Sequence, residues 1–179
     1  MVEREVENWM DRISIAIARV SMFLIALIVA IMFFEVVMRY VFEKPTLWVN
    51  EMSLWTAGAV YLLAGLYVMQ QRGHIRIFIL YDMVSRNWQR VFDLISAILI
   101  CAFAAAIVWG GFNEAWAKLM RWETFGTAWD PPIPATMKPL ILITVVLIAI
   151  QTVMNLIYDW PKEKEEHDLA EEVKEEHID

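Results

Sequence analysis

Cysteine and histidine are scarce in this chain, and charge is scarce along its middle. Among 179 residues there are one cysteine and three histidines. A lone thiol, Cys101, cannot form an intrachain disulfide, and no Cys/His cluster with metal-ligand spacing exists. The histidines, His74, His167 and His177, all fall outside the apolar runs. That placement argues against a membrane cytochrome, whose haem needs axial ligands facing each other from within helices. A Walker motif, HExxH and GxSxG are also missing, and no nucleophile is paired with a base. The sequence therefore predicts no enzyme, no metal, no cofactor and no nucleic-acid partner. A cleavable leader is not expected either. The first apolar run is too long for one, no small-residue cleavage site follows it, and its flank "MVEREVENWMDR" carries four acids against two arginines.

What the chain has in abundance is apolar side chains, 59% of the total, including nine Trp and eleven Met. They are gathered into four windows, residues 13–37, 47–69, 91–112 and 137–158. Each has the ~20 residues that a helix needs to cross a ~30 Å hydrocarbon core. Four such windows in so short a chain leave almost no protein to bury them, so they predict an all-α integral membrane protein with four transmembrane helices. Gly110, Gly111 and the alanines at 102 and 104–106 suggest a thin face on the third helix, suited to close packing. The formal charge of −7 is local. From Asp159 onward there are ten acids and three lysines, and the rest of the chain balances. Residues 159–179 read as an acidic, solvated tail.

Four crossings put both termini on one side. With residues 1–12, 70–90 and 159–179 there, that side has nine Lys and Arg; the side with residues 38–46 and 113–136 has five, counting Lys138 at the start of the fourth window. The asymmetry predicts cytoplasmic termini. Trp9, Tyr67, Trp88, Tyr158 and Trp160 would mark one interface, and Tyr40, Trp48, Trp116 and Trp122 the other. Within residues 76–90, Ile77, Leu80, Tyr81, Val84 and Trp88 recur at helical spacing, opposite Asp82, Arg86, Gln89 and Arg90. This predicts a short amphipathic helix against lipid headgroups, or a lead-in continuous with the third span, with Ser85 as an N-cap. The loop "GTAWDPPIP" is irregular by its prolines. With Trp122, Trp129, Asp130, Pro131 and Pro132 it serves either as a periplasmic contact surface or only as a turn.

Polar groups at mid-depth are few. Arg19, Glu35, Asp93, Gln151 and Asn155 lie within the windows, and only the uncharged Gln151 approaches the middle. A self-sufficient transporter is expected to hold ionisable groups there, on broken helices in inverted repeats. In "VVMRYVFEKPTLWVNE", Glu35 and Arg39 stand at i, i+4 with the acid first, and Glu51 follows just after the second helix starts, with Thr46 as its N-cap. Glu35, Arg39 and Glu51 are expected to form a cluster pinning the outer end of this hairpin.

Several residues together resemble a known family. "RYVF" (Arg39, Tyr40) ends the first span, Trp48 and Glu51 form a W-x-x-E opening the second, and "GLYVMQQRGHIRI" runs from Gly65 through Arg72, Gly73, His74 and Arg76. With the late "AWDPP" loop, residues 10–160 resemble the small membrane subunit, DctQ-like, of tripartite ATP-independent periplasmic (TRAP) transporters. The resemblance implies a bacterial inner-membrane scaffold subunit without a catalytic site. Its partners would be a large multi-span membrane subunit, a periplasmic substrate-binding protein and membrane lipids, in sodium-coupled uptake of an organic acid. Two other readings stay open, an autonomous oligomeric transporter and a membrane assembly or anchoring protein. As a residue at the end of the second span, His74 would donate to helix-terminal carbonyls or to the partner subunit, with Gly73 letting the chain turn.

Overall fold

The computed structural model of the protein describes residues 6–72 and 84–161. All regular structure there is helical: α1, Trp9–Tyr40; α2, Val49–Gln70; α3, Arg86–Met120; and α4, Ile133–Asp159. All four are long and apolar enough to span a membrane. Gly73, His74, Arg76 and the acidic residues from 162 onward lie outside the described residues.

α1, α3 and α4 all outrun their apolar windows. α1 starts four residues before the apolar run because Asn8 and Asp11 form a capping box. The Asp11 N–H donates to Asn8 Oδ1 at 2.9 Å, and the Asn8 N–H donates to Asp11 Oδ2 at 3.2 Å. α3 has 35 residues, ~52 Å at 1.5 Å per residue, well beyond a ~30 Å hydrocarbon core. Its first turn takes up residues 86–90, so the described part of the expected amphipathic segment is continuous with the third span. Ser85 sits at the N-cap with extended backbone and uses its carbonyl, not its side chain, to receive the N–H groups of Trp88 and Gln89.

The helices lie in a row. α1 packs on α2, α2 on α4 and α4 on α3, with a smaller contact of α1 on α4 at the Gln151 end, while α1 and α3 form the two flanks and have no extended contact with each other. A closed four-helix bundle would join those flanks. Small residues set the closest approaches. A Cβ on Gly58 of α2 would lie 3.3 Å from Met137 Sδ, and one on Gly111 of α3 would lie 3.2 Å from Leu142, both on α4. Ala97, Ala104 and Gly111 repeat every seven residues along α3, two of them buried and the third against Leu142, and Ala115 one turn further on is buried too. Of the residues expected to form a thin face, only Ala104 and Gly111 lie on this one; Ala102, Ala105, Ala106 and Gly110 are exposed, because the packed stripe follows a seven-residue spacing that the run of alanines does not.

The distribution of polarity is inverted relative to a water-soluble bundle. Asp11, Ser14, Gln70, Gln89 and Gln151 have no exposed surface, whereas Phe23, Tyr61 and Trp109 are 78–89% exposed. In hydrocarbon a polar group must find its partner inside the protein, and a large apolar side chain has nothing to gain from burial. The interior therefore holds Ser, Thr, Gln, Asn and Ala beside a few apolar side chains such as Met10, Val49 and Leu66, while most of the large aromatic side chains face outward.

Candidate functional site

At one end of the row, the α1–α2 turn is organised by a carboxylate. Glu35 is buried on the last turns of α1. Its Oε1 receives Arg39 Nε at 3.1 Å and a second guanidinium N–H at 2.5 Å. Its Oε2 receives the Thr46 N–H at 3.1 Å and the Thr46 hydroxyl. The structure thus brings Glu35 and Arg39 together, but Thr46 completes the site in place of Glu51. Glu51 is half-buried one turn into α2, and its Oε2 has no hydrogen-bond partner among the described residues.

The expectation that Thr46 caps α2 is corrected for the same reason. Trp48 is the N-cap residue and makes no side-chain cap bond. A hydrogen bond to an ionised carboxylate is roughly twice as strong as one between neutral groups, so Glu35 takes the Thr46 hydroxyl away from the helix start. Glu43 adopts a left-handed conformation, φ 54°, which lets the Lys44 N–H reach back to the Met38 carbonyl and end α1.

The proline loop comes to this same end. The Trp48 ring lies between Phe34 of α1, centroid distance 6.2 Å, and Trp129 of the loop, 6.4 Å. Asp130, also left-handed, receives the Gly126 N–H at 2.7 Å, and the buried Pro131 offers its carbonyl to Phe125 and Ile133. Pro132 then caps α4. Trp55 Nε1 donates to Thr136 at 2.8 Å, tying α2 to the first turn of α4. Trp122 is exposed and left-handed just past α3, and the Lys118 ammonium beside it donates to Glu123. That hydrogen bond, with the nearby Lys118 and Arg121 charges, holds the Glu123 carboxyl below its ordinary value. Tyr40 is exposed, and Gly65 faces Ile148 of α4 at ordinary contact distance.

The opposite end holds a polar chain that the sequence did not announce as a unit. Gln151 of α4, fully buried, donates from Nε2 to Asp11 Oδ1 at 2.7 Å and to Asn155 Oδ1 at 2.8 Å. Its Oε1 receives the Ser14 hydroxyl at 3.0 Å. Asn155 in turn donates to the Met69 carbonyl near the end of α2 at 2.8 Å. Three helices, α1, α2 and α4, are joined through two amides, Gln151 reaching α1 and Asn155 reaching α2. Asp11 also takes the N–H groups of Glu7 and Asn8, so its carboxylate is well supplied with donors.

Beside this chain, Arg72 ends α2 in a left-handed conformation, φ 53°. It makes two parallel bonds to Asp159, 2.7 and 2.9 Å, one to the Gln70 carbonyl at 3.2 Å, and lies 3.6 Å from Glu7. The left-handed backbone costs a non-glycine residue about 1 kcal/mol. A bidentate pair to a carboxylate, on a side chain that is 6% exposed, offsets that cost. Spacing hints at parts of this arrangement, since Asp11 with Ser14 and Gln151 with Asn155 share helix faces at i, i+3 and i, i+4. No local signal pairs Arg72 with Asp159, because they are 87 residues apart.

Both constellations use their donors and acceptors on one another, which suits them to holding helices in place. Among the described residues no group of three His, Cys, Asp or Glu is placed to hold a metal ion, and Cys101 is a half-buried free thiol.

Residues 28–162 match the family described as tripartite ATP-independent periplasmic transporters, DctQ component. Among curated proteins, the chain is 22% identical over 132 residues to the C4-dicarboxylate TRAP transporter small permease protein DctQ of Vibrio cholerae serotype O1. The similarity covers 72% of this chain and 56% of that relative, so the chain spans little more than half of the relative's length.

Proposed function

Because the chain belongs to the DctQ component family of tripartite ATP-independent periplasmic transporters, we propose that it is the non-catalytic small membrane subunit of such a transporter. In this reading it scaffolds a large multi-span transport subunit in the bacterial inner membrane, with both termini cytoplasmic. The complex takes up an organic acid by sodium symport, and a periplasmic binding protein delivers the substrate.

The observation that carries the scaffold role is the open row α1–α2–α4–α3. A row has two broad faces and two flanks. Its large side chains, such as Phe23 and Phe33 on α1 and Phe103 and Trp109 on α3, are turned outward along the whole length. Meanwhile its polar groups are committed to fixing the spacing of the helices. A sheet of helices so braced widens the membrane-embedded body of a partner without supplying a substrate path. The outer hairpin and the proline loop, joined through Trp48 and Trp129, form one continuous surface on which a binding protein can rest.

Purification of the tagged chain from its native host tests the assignment. A stable complex with a large, roughly twelve-span membrane protein is expected. Reconstituted sodium-dependent uptake is expected only when this chain, that partner and the soluble binding protein are all present. Uptake by this chain alone in proteoliposomes would overturn the proposal.

A further inference from the structure

A cavity of about 280 Å³ opens at the Arg72 end of the row, between the start of α3 and the ends of α2 and α4. Its character changes with depth. Arg86, Arg90, Asp93 and Trp160 line it near the start of α3, and further along Ala97, Ile100 and Leu156 line it, interrupted by Ser96, Thr152 and Asn155. From Arg90 to Ile100 the α3 axis advances ~15 Å, so a charged head and an apolar trough are stacked along one helix.

The cations at the head are not equivalent. Arg72 is committed to Asp159, and Arg86 donates to the Asp159 carbonyl at 2.7 Å and to Gln89. Arg90 lies over the Trp160 ring, 5.7 Å from its centroid, and no carboxylate pairs with it among the described residues. Its Nε is buried and has no hydrogen-bond acceptor there. A charged donor whose Nε is buried without an acceptor is costly, and in a cavity lined by three arginines against the two carboxylates of Asp93 and Asp159 an anion supplies the missing acceptor. A phosphate group meets that need, since its oxygens match the planar guanidinium fork. The trough adds a further requirement, because a bare phosphate would leave the apolar lining uncovered.

We propose that this cavity is a specific binding site for one anionic phospholipid, with its phosphate on Arg90 and the start of one acyl chain along Ala97, Ile100 and Leu156. The lipid is then a structural ligand that fills the gap where α2 and α3 fail to meet. Free phosphate shares the headgroup chemistry but not the trough.

The test uses the full-length chain in the complex in which it purifies, with native mass spectrometry and thermal unfolding in detergent. Added dioleoyl phosphatidylglycerol should be retained and should raise the unfolding midpoint, dioleoyl phosphatidylcholine much less, and millimolar inorganic phosphate should neither stabilise nor displace the lipid. Arg90→Gln should weaken retention of the anionic lipid about fivefold, the factor expected for one arginine at an anionic surface. Ser96 lines the cavity with an exposed side chain, so Ser96→Trp should block the lipid without disturbing helix packing. Arg121→Gln, at the other end of α3, should leave retention unchanged. Equal retention of the two lipids, unchanged retention in both Arg90→Gln and Ser96→Trp, or displacement by inorganic phosphate would each overturn the proposal.

Discussion

The two ends of this helical row are held by different means. The end containing Glu35 is centred on a local clasp, an i, i+4 ion pair and a hydroxyl eleven residues away, with two longer-range contacts beside it, Trp48 on Trp129 and Trp55 on Thr136. The end containing Gln151 is built from partners 86–140 residues apart, and its central amide has no exposed surface. The first fixes a turn, while the second fixes the relative positions of three helices. The local clasp tolerates loss of Arg39, whose side chain can reach headgroups and water, better than loss of the buried Glu35. A buried chain of hydrogen bonds has no such tolerance, since losing one member leaves the others without partners.

Breaking the tertiary end should therefore have the largest effect. Asp159→Ala leaves the buried Arg72 guanidinium without its bidentate partner and should destabilise the protein by about 3 kcal/mol, measured by denaturant unfolding in detergent. Gln151→Leu keeps the volume but orphans Ser14 and Asn155 and removes one donor from Asp11. A loss of about 2 kcal/mol is expected, with strong non-additivity in a double-mutant cycle with Asp11→Asn.

At the local end the same measurements should give smaller numbers. Glu35→Gln removes the charge that both Arg39 and Thr46 address, for a loss of about 1–2 kcal/mol. Arg39→Ala should cost less than about 1 kcal/mol, because that side chain is 44% exposed and can be replaced by water. Arg39→Ala and Glu51→Ala should add without coupling; a coupling as large as that between Arg39 and Glu35 would restore Glu51 to the cluster.

The smallest effect is expected at the Lys118 contact. Since Glu123 has a lowered carboxyl value in the folded protein, its contribution is present above the ordinary value of 4.5 and is lost as pH falls through the lower folded value. Proteolysis of the loop following α3 should quicken in that acidic range in the wild type. In Glu123→Gln its rate should not change over the same range.

The apolar windows revealed four spans because burial in lipid needs only length and composition, both of which are local. The Glu35–Arg39 pair was legible for the same reason, being a one-turn spacing on a single helix. The role of Thr46 was misread because capping propensity is a local preference, and a buried carboxylate eleven residues upstream outbids it. The polar chain through Gln151 left only fragments in the sequence. Asp11 and Ser14 shared one face and Gln151 and Asn155 another, with nothing to say that the two faces meet. The start of α1 was set four residues late because the capping polar residues interrupt the hydropathy that marked the window.

Sequence alone determined that this chain is a four-span helical membrane protein with an acidic tail and a family resemblance. Those properties follow from hydropathy, charge and short motifs. Only the tertiary structure decided that the helices form an open row, that Thr46 and not Glu51 joins Glu35, and that Arg72 meets Asp159. Each of these depends on which helix faces touch. In a membrane that choice is made by close contact of small residues and by buried polar groups finding partners, and neither is written in the order of residues along one helix.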